Sequence, residues 1–266
     1  MTTDFSDADP ARSLKLLWGI RARPSRGPKP GLSIERIVQA AIDIADAEGL
    51  AALSMRRVGD HLGAGTMSLY RYVPGKTELL ALMLDAVVGE FPPAETTGGW
   101  RADLERAARN HWALYHRHPW TLQLPWNRPV PGPNMMADYE WSLRTVADLG
   151  LPEADVVGLV HAVVDYVRGA ARTSVEAMEA HRRGMSDERF WSATGAFLDG
   201  VLQTGRYPAV SRIMSAIDEP PYGDRIFEFG LQRVLDGIEA FIAARSTPPD
   251  GGRLSGTGQP AAVNQG

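Results

Sequence analysis

The chain has 266 residues, 44% of them hydrophobic, enough for one large or two ordinary domains with a packed core. It contains no cysteine, which excludes a disulfide framework, a thiolate nucleophile and a thiolate metal site. The net charge is −4, but residues 12–76 hold 11 Lys/Arg against 5 Asp/Glu, while residues 77–266 hold 17 against 24. A basic N-terminal part on an acidic body is the balance expected of a polyanion reader joined to something else.

The opening MTTDFSDADP is acidic and polar and lacks the basic start and apolar stretch of a signal peptide. No apolar run approaches the ~18 residues of a membrane-crossing helix. A cytoplasmic chain without a membrane partner is therefore expected. Residues 11–20 can form a short amphipathic turn with Leu14, Leu17 and Trp18 on one side. RARPSRGPKPG follows, an arm carrying Arg21, Arg23, Arg26 and Lys29 and held extended by its prolines.

Regular structure begins at Ser33. Ile34, Ile37, Val38, Ala41, Ile42 and Ala45 follow the i, i+3, i+4, i+7 rhythm of an amphipathic helix, with Ser33 to cap its start and Gly49 its end. A second helix runs from Ser54 to Gly63, with Leu53 and Val58 placed as a hydrophobic staple. GAGTMSLYRYVPGK, residues 63–76, supplies a third helix over 66–73, and a fourth, largely apolar, runs over 76–88. FPPAETTGG, 91–99, reads as a hinge. Beyond it the pattern predicts helices at 100–117, 134–149, 153–182, 187–204, 208–217 and 222–244. Residues 118–133 hold too many prolines for one helix, and the Gly/Pro-rich tail is expected to be disordered. No alternating pattern long enough for a sheet is present, so the expected fold is all-α. Its expected parts are a disordered basic arm at 1–32, a helix-turn-helix domain at 33–90, a larger helical ligand and dimerisation domain at 100–245, and a disordered tail at 246–266.

Short helices joined by a glycine-bearing turn make a helix-turn-helix. Leu69 and Val73, four apart, can face a small core, which leaves Thr66, Met67, Ser68, Tyr70, Arg71 and Tyr72 nearer the outside. A helix that reads DNA needs short polar or methyl-bearing side chains at its N-terminus and long donors around them for phosphates. Thr66, Met67 and Ser68 suit the first need, and Tyr70, Arg71, Tyr72 and Lys76 the second. The bland rival is that the two tyrosines simply pack on a neighbouring helix.

The run IVQAAIDIADAEGLAALSMRRVGDHLGAGTMSLYRYVPGKTELLALML resembles the DNA-binding domain of the tetracycline-repressor (TetR) family of transcriptional regulators, over residues 33 to 88. The parts come in the family's order: an apolar helix ending A-D-A-E-G, Leu-Ser opening the next, L-G-x-G-x-x-S-L-Y-x-Y-V across the turn, and a Lys opening the fourth. The resemblance implies that Ser54 and Arg56 touch DNA from the second helix. It implies base-side contacts from Thr66, Met67, Ser68 and Tyr70, and phosphate contacts from Tyr72 and Lys76. Met67 departs from the smaller or more rigid residue common there. Arg21, Arg23, Arg26 and Lys29 lie outside the family's core pattern, as a DNA-following arm or as a solubilising linker. The helix count of residues 100–244 and the closing FEFGLQRVLDGIEAFI are similar to the C-terminal ligand and dimerisation domain of the family's tetracycline-repressor branch.

The second part is rich in aromatic and histidine side chains, which suit a ligand cavity between helices with a few polar anchors. His111, Tyr115, Trp126, Tyr139 and Asp165 are the expected ligand-binding set, for an effector that is largely apolar or aromatic. Trp126 would sit on a proline-flanked lid. On the long helix His161, Asp165 and Arg168 share a face. His111, His116 and His118 do not share one, and Glu176, Glu179 and His181 lack a second matching helix, so no metal is expected. With no Gly-rich phosphate loop and no serine nucleophile elbow, neither a cofactor nor an enzyme activity is expected. Val163 and Val167 on the long helix, with Leu231, Val234, Ile238, Phe241 and Ile242 near the C-terminus, form apolar stripes expected to build a homodimer interface. Packing within one chain is the rival.

The reading that unites these features is a ligand-responsive regulator, a repressor released from a palindromic operator by a small molecule. Two alternatives stand beside it. One is a DNA-binding regulator controlled by a protein partner. The other is a helical enzyme or carrier, which would need a catalytic constellation that residues 100–244 do not display.

Overall fold

The computed structural model describes residues 10–19, 31–92, 95–96, 98–126, 129–185, 187–217 and 223–246. Among them every regular element is helical. The arm residues Arg21, Arg23, Arg26 and Lys29 and the tail from residue 247 lie outside the described residues, and the hinge at 91–99 lies partly outside them.

The first helix, α1 (Pro10–Gly19), is longer than a turn and buries Ser13 and Leu17. Leu14 is half-buried, and Trp18 stays half exposed. Next come α2 (Ile34–Glu48), α3 (Met55–Leu62), α4 (Thr66–Tyr70) and α5 (Lys76–Val88). The local chemistry sets their limits. The Ser33 hydroxyl accepts from the Arg36 N–H and the Ser54 hydroxyl from the Arg57 N–H, each filling an orphan donor of a first turn. Gly63 stops α3 at φ 62°, a left-handed conformation that glycine adopts without a Cβ penalty. A Cβ on Gly59 would lie 2.8 Å from the Ala64 carbonyl oxygen, so a glycine there lets the turn fold back on α3.

The third predicted helix is shorter than its pattern. It is regular only to Tyr70, and Tyr72 and Val73 both donate backbone N–H to the Leu69 carbonyl at 2.9 Å. Pro74 pushes the preceding residue out of the helical region, which explains the early stop. Leu69 and Val73 are fully buried in one core with Ile37, Ala41 and Val58. α5 buries nearly its whole circumference because α1, α2 and α7 all pack on it.

The C-terminal part contains α6 (Trp100–Arg117), a 3-10 turn (Pro119–Gln123), α7 (Pro133–Ala147), α8 (Glu153–Arg182), α9 (Asp187–Gln203), α10 (Pro208–Met214) and α11 (Asp224–Ser246). α8 has 30 residues, about 45 Å at 1.5 Å per residue, and packs against α6, α7 and α11. Phe227 stacks between Trp112 of α6 (4.1 Å between centroids) and Tyr166 of α8 (6.2 Å).

This packing corrects the expected dimer stripe at four of its seven residues. Val163, Val167, Leu231 and Ile238 are each under 5% exposed within the single chain. Val234, Phe241 and Ile242 are half-buried against the same core. Leu231 and Ile238 are buried within their own chain and, with Val163 and Val167, close the monomer, whereas Val234, Phe241 and Ile242 keep part of their surface outside. The large apolar side chains that α8 and α11 leave fully exposed are Val157, Ile226 and Phe229.

Candidate DNA-reading surface and effector cavity

On α4 one side chain anchors and the rest stand free. Leu69 is buried, while Met67 is 79% exposed and Tyr70 43% exposed. Arg71, Ser54 and Arg56 are exposed beside them, and Thr66 and Ser68 are half-exposed. Ser54 has its side-chain oxygen engaged as the α3 cap. Tyr72 leans on the core, and burial pushes the Lys76 ammonium below its ordinary pKa. Arg57 also bears on this surface, although the sequence pattern did not single it out. Its guanidinium pairs with Glu48 and so ties α3 to the end of α2. The nine-residue spacing across a turn offers no helical periodicity from which to read that pair.

Behind this part lies a cavity of about 330 Å³ bounded by α5, α6, α7 and α8 together with Trp126, Pro129 and Pro131. His111, Tyr115, Trp126 and Tyr139 line it. His111 Nε2 lies 3.1 Å from Asp138 Oδ2. Tyr115 is 2% exposed and meets the Trp126 ring edge-on at 6.2 Å. Burial pushes the Tyr115 hydroxyl pKa up, and the nearby Arg168 guanidinium pulls it part of the way back. Tyr139 and His161 meet edge-on at 6.3 Å.

Asp165 does not line the cavity. Its side chain is 64% exposed and accepts from Arg168 Nη1 at the protein's outer face. On α8 the wall is formed by Val160, His161, Val164 and Arg168, and Asp165 lies further round the helix toward solvent. The carboxylate that does line it is Asp138. A signal for it exists in the sequence: Met135, Asp138, Tyr139 and Ser142 repeat at i, i+3, i+4, i+7, a polar group on the inward stripe.

Hydrogen bonds at three places join the cavity's surroundings to the N-terminal helices. Asp85 of α5 accepts from the backbone N–H of Asn134 (3.0 Å) and Met135 (2.9 Å), capping α7 from another helix. Gly132 makes this possible, since a Cβ there would collide with the Asp85 carboxylate. His118, 2% exposed, places Nδ1 2.9 Å from Asp46 of α2 and Nε2 3.2 Å from Glu90. Asp46 also accepts from Trp120 Nε1 at 2.8 Å. Trp18 Nε1 of α1 donates to the Pro131 carbonyl at 3.2 Å, beside the cavity wall. A further run of bonds leads from cavity to junction: Trp126 Nε1 donates to the Thr121 carbonyl, and the Thr121 hydroxyl to the His118 carbonyl.

An exposed reading helix on a small three-helix core, tied to a helical body around an aromatic cavity, defines a helix-turn-helix DNA-binding regulator. Residues 37–83 match the model for bacterial regulatory proteins of the tetR family, and residues 92–242 match the tetracyclin repressor-like C-terminal domain. The chain therefore belongs to the TetR family; it is a transcription regulator and not an enzyme. It is 49% identical over 249 residues to the HTH-type transcriptional repressor DrrR1 of Streptomyces coeruleorubidus, spanning 92% of this chain and 91% of that protein. Its fold is similar to that of ActR from Streptomyces coelicolor without ligand, with a TM-score of 0.68 and 26% identity over 82% of this chain and all of that one. ActR in complex with actinorhodin gives a TM-score of 0.66 and 28% identity over 81% of this chain and 99% of that one. Among the described residues no helix is long and apolar enough to cross a membrane.

Proposed function

We propose that this regulator is a repressor that binds a palindromic operator as a homodimer and leaves it when a largely aromatic small molecule fills the cavity. Thr66, Met67, Ser68 and Tyr70 take the base edges, and Ser54, Arg56, Tyr72 and Lys76 steady the helix on phosphates. The observation that carries the release step is the position of the cavity. Its α7 wall is capped by Asp85 of α5, the helix that follows the reading helix directly. A ligand that fits only one placement of α7 then favours one placement of α5, through its differential affinity for the two states. ActR, a neighbour in fold, is known in complex with actinorhodin, and DrrR1 carries the name of a repressor. Both fit this reading.

The dimer face we assign to the outward sides of α8 and α11, where Val157, Ile226 and Phe229 stand exposed and Gly158, Ala162, Gly237 and Ala240 keep the surface low. A DNA operator sets the place of work in the cytoplasm.

The test is selection of binding sites from random duplexes, followed by fluorescence anisotropy with actinorhodin as the first probe. The expected result is a palindrome of two half-sites about one DNA turn apart, bound by two chains and released as the probe is added. Sedimentation of Phe229→Glu should show monomers with weakened operator binding. A selected site without two-fold symmetry, or an operator complex unmoved by any planar polycyclic aromatic compound, sinks the proposal.

A further inference from the structure

The cavity wall has two chemically different ends. Asp138 pairs with His111, whose ring lies 6.5 Å from Tyr115, which meets Trp126, over whose face the Arg168 guanidinium sits at 4.7 Å. At the first end the carboxylate has a partner. At the other end the cation is only partly satisfied. Arg168 Nη1 donates to Asp165, a side chain that faces solvent, whereas the Arg168 Nε–H is buried and has no hydrogen-bond acceptor. Buried donors are ordinarily bonded, and a charged one without an acceptor is costly. The cation–π contact with Trp126 holds the guanidinium at the cavity wall, of which Arg168 is part. The carboxylates nearest the cavity are spoken for elsewhere: Asp138 by His111 and Asp165 by Nη1 on the outer side.

We infer that Arg168 Nε–H is the anchor for an anionic oxygen, a carboxylate or ionised phenol, on the edge of a planar fused-ring aromatic ligand. This inference rests on the reading of the cavity as the effector site. The buried Tyr115 hydroxyl, beside the same guanidinium, supplies a second donor to that oxygen. The rings occupy the apolar space among Met135, Val160 and Val164. A ligand with a cationic group on that edge is repelled by Arg168 and leaves the Nε–H unbonded. The cavity thus selects by charge as well as by shape.

The test uses two soluble fluorescent probes with identical rings, 9-anthracenecarboxylate and 9-(aminomethyl)anthracene. Each is titrated into the full-length protein while energy transfer from tryptophan is followed. The carboxylate is expected to bind at least tenfold more tightly than the ammonium, and Arg168→Gln to bring the two within threefold. Arg168→Lys, which keeps the charge but lacks the in-plane Nε donor, should lose at least fivefold of the carboxylate affinity. It also serves if the Gln variant does not fold. The inference is overturned if the ammonium binds as tightly as the carboxylate, if both variants keep the wild-type carboxylate affinity within threefold, or if neither probe binds. Operator release is read separately by anisotropy. Tight, Arg168-dependent binding of the carboxylate without release upholds the anchor and sinks the effector reading.

Discussion

Tyr70 on α4 and Tyr115 in the cavity are the same residue put to opposite uses. Tyr70 is 43% exposed on a helix of five residues held down by one side chain, Leu69. Tyr115 is 2% exposed and fixed among His111, Trp126 and Arg168. A surface that meets a rigid duplex keeps its donors free until the DNA arrives, so its order comes from beneath, from the core under Leu69. A pocket for a small molecule has its side chains arranged in advance, because the ligand has too few atoms to organise them. The two regions should therefore fail differently when altered.

The largest effect is expected beneath the reading helix. Leu69→Ala should cost about 2–5 kcal/mol of folding stability, seen as a lower melting temperature together with lost operator binding. Met67→Ala, on the same helix but exposed, should stay within about 0.5 kcal/mol. Equal effects would mean that α4 is not anchored through Leu69. On the surface itself, Ser68→Ala and Tyr70→Ala should each weaken operator binding by about 1–3 kcal/mol with the melting temperature unchanged. Unaltered affinity in both would remove α4 from the major groove.

A weaker and less specific contribution is expected from the basic arm. Replacing Arg21, Arg23, Arg26 and Lys29 by Gln should flatten the slope of log K against log salt by about 0.9 for each phosphate that the arm no longer neutralises. Substitution is a cleaner test than deleting residues 1–30, since deletion also removes α1 with its buried Leu17 and the Trp18 hydrogen bond. An unchanged slope identifies the arm as a linker. The smallest effect is electrostatic. Arg57, Arg109 and Arg101 hold the carboxyls of Glu48, Glu228 and Asp236 below their ordinary range. Folded-state pKa values that are depressed add stability above the unfolded carboxylate pKa, and that stability is lost as pH falls through the folded values. All three groups are largely exposed, so the acid-side loss should be slight and should shrink further in high salt.

What could be read from the chain depended on the distance over which each feature is decided. Caps and stops such as Ser33, Ser54, Gly63 and Pro74 act within a few residues, and the helices they bound lie close to where the sequence places them. The reading-helix face followed from Leu69 and Val73, which show which side turns inward. The Leu231–Ile242 stripe was harder. Its periodicity shows that a face is buried but not against what, and here α8 and α6 of the same chain take it. Asp165 failed for a related reason. It shares a helical sector with His161 and Arg168, yet the edge of the cavity falls between them. The pairing of His118 with Asp46, 72 positions away, leaves no local trace at all.

The bonds of Asp85 with α7, of His118 with Asp46 and of Trp18 with Pro131 bear on how such regulators can be recombined. Residues 91–99 look like a natural place to splice, so that one sensor could command another operator. A chimera cut there, however, would keep His118, Pro131 and the uncapped start of α7 while discarding the groups that satisfy them. It would also place whatever side chain the donor has at position 85 against the backbone of Gly132, where only a close fit is tolerated. The transferable unit is therefore the C-terminal helices together with Asp46, Asp85 and Trp18 of the N-terminal ones. Operator specificity is best changed by grafting α4's outward residues alone, which leaves the seam intact.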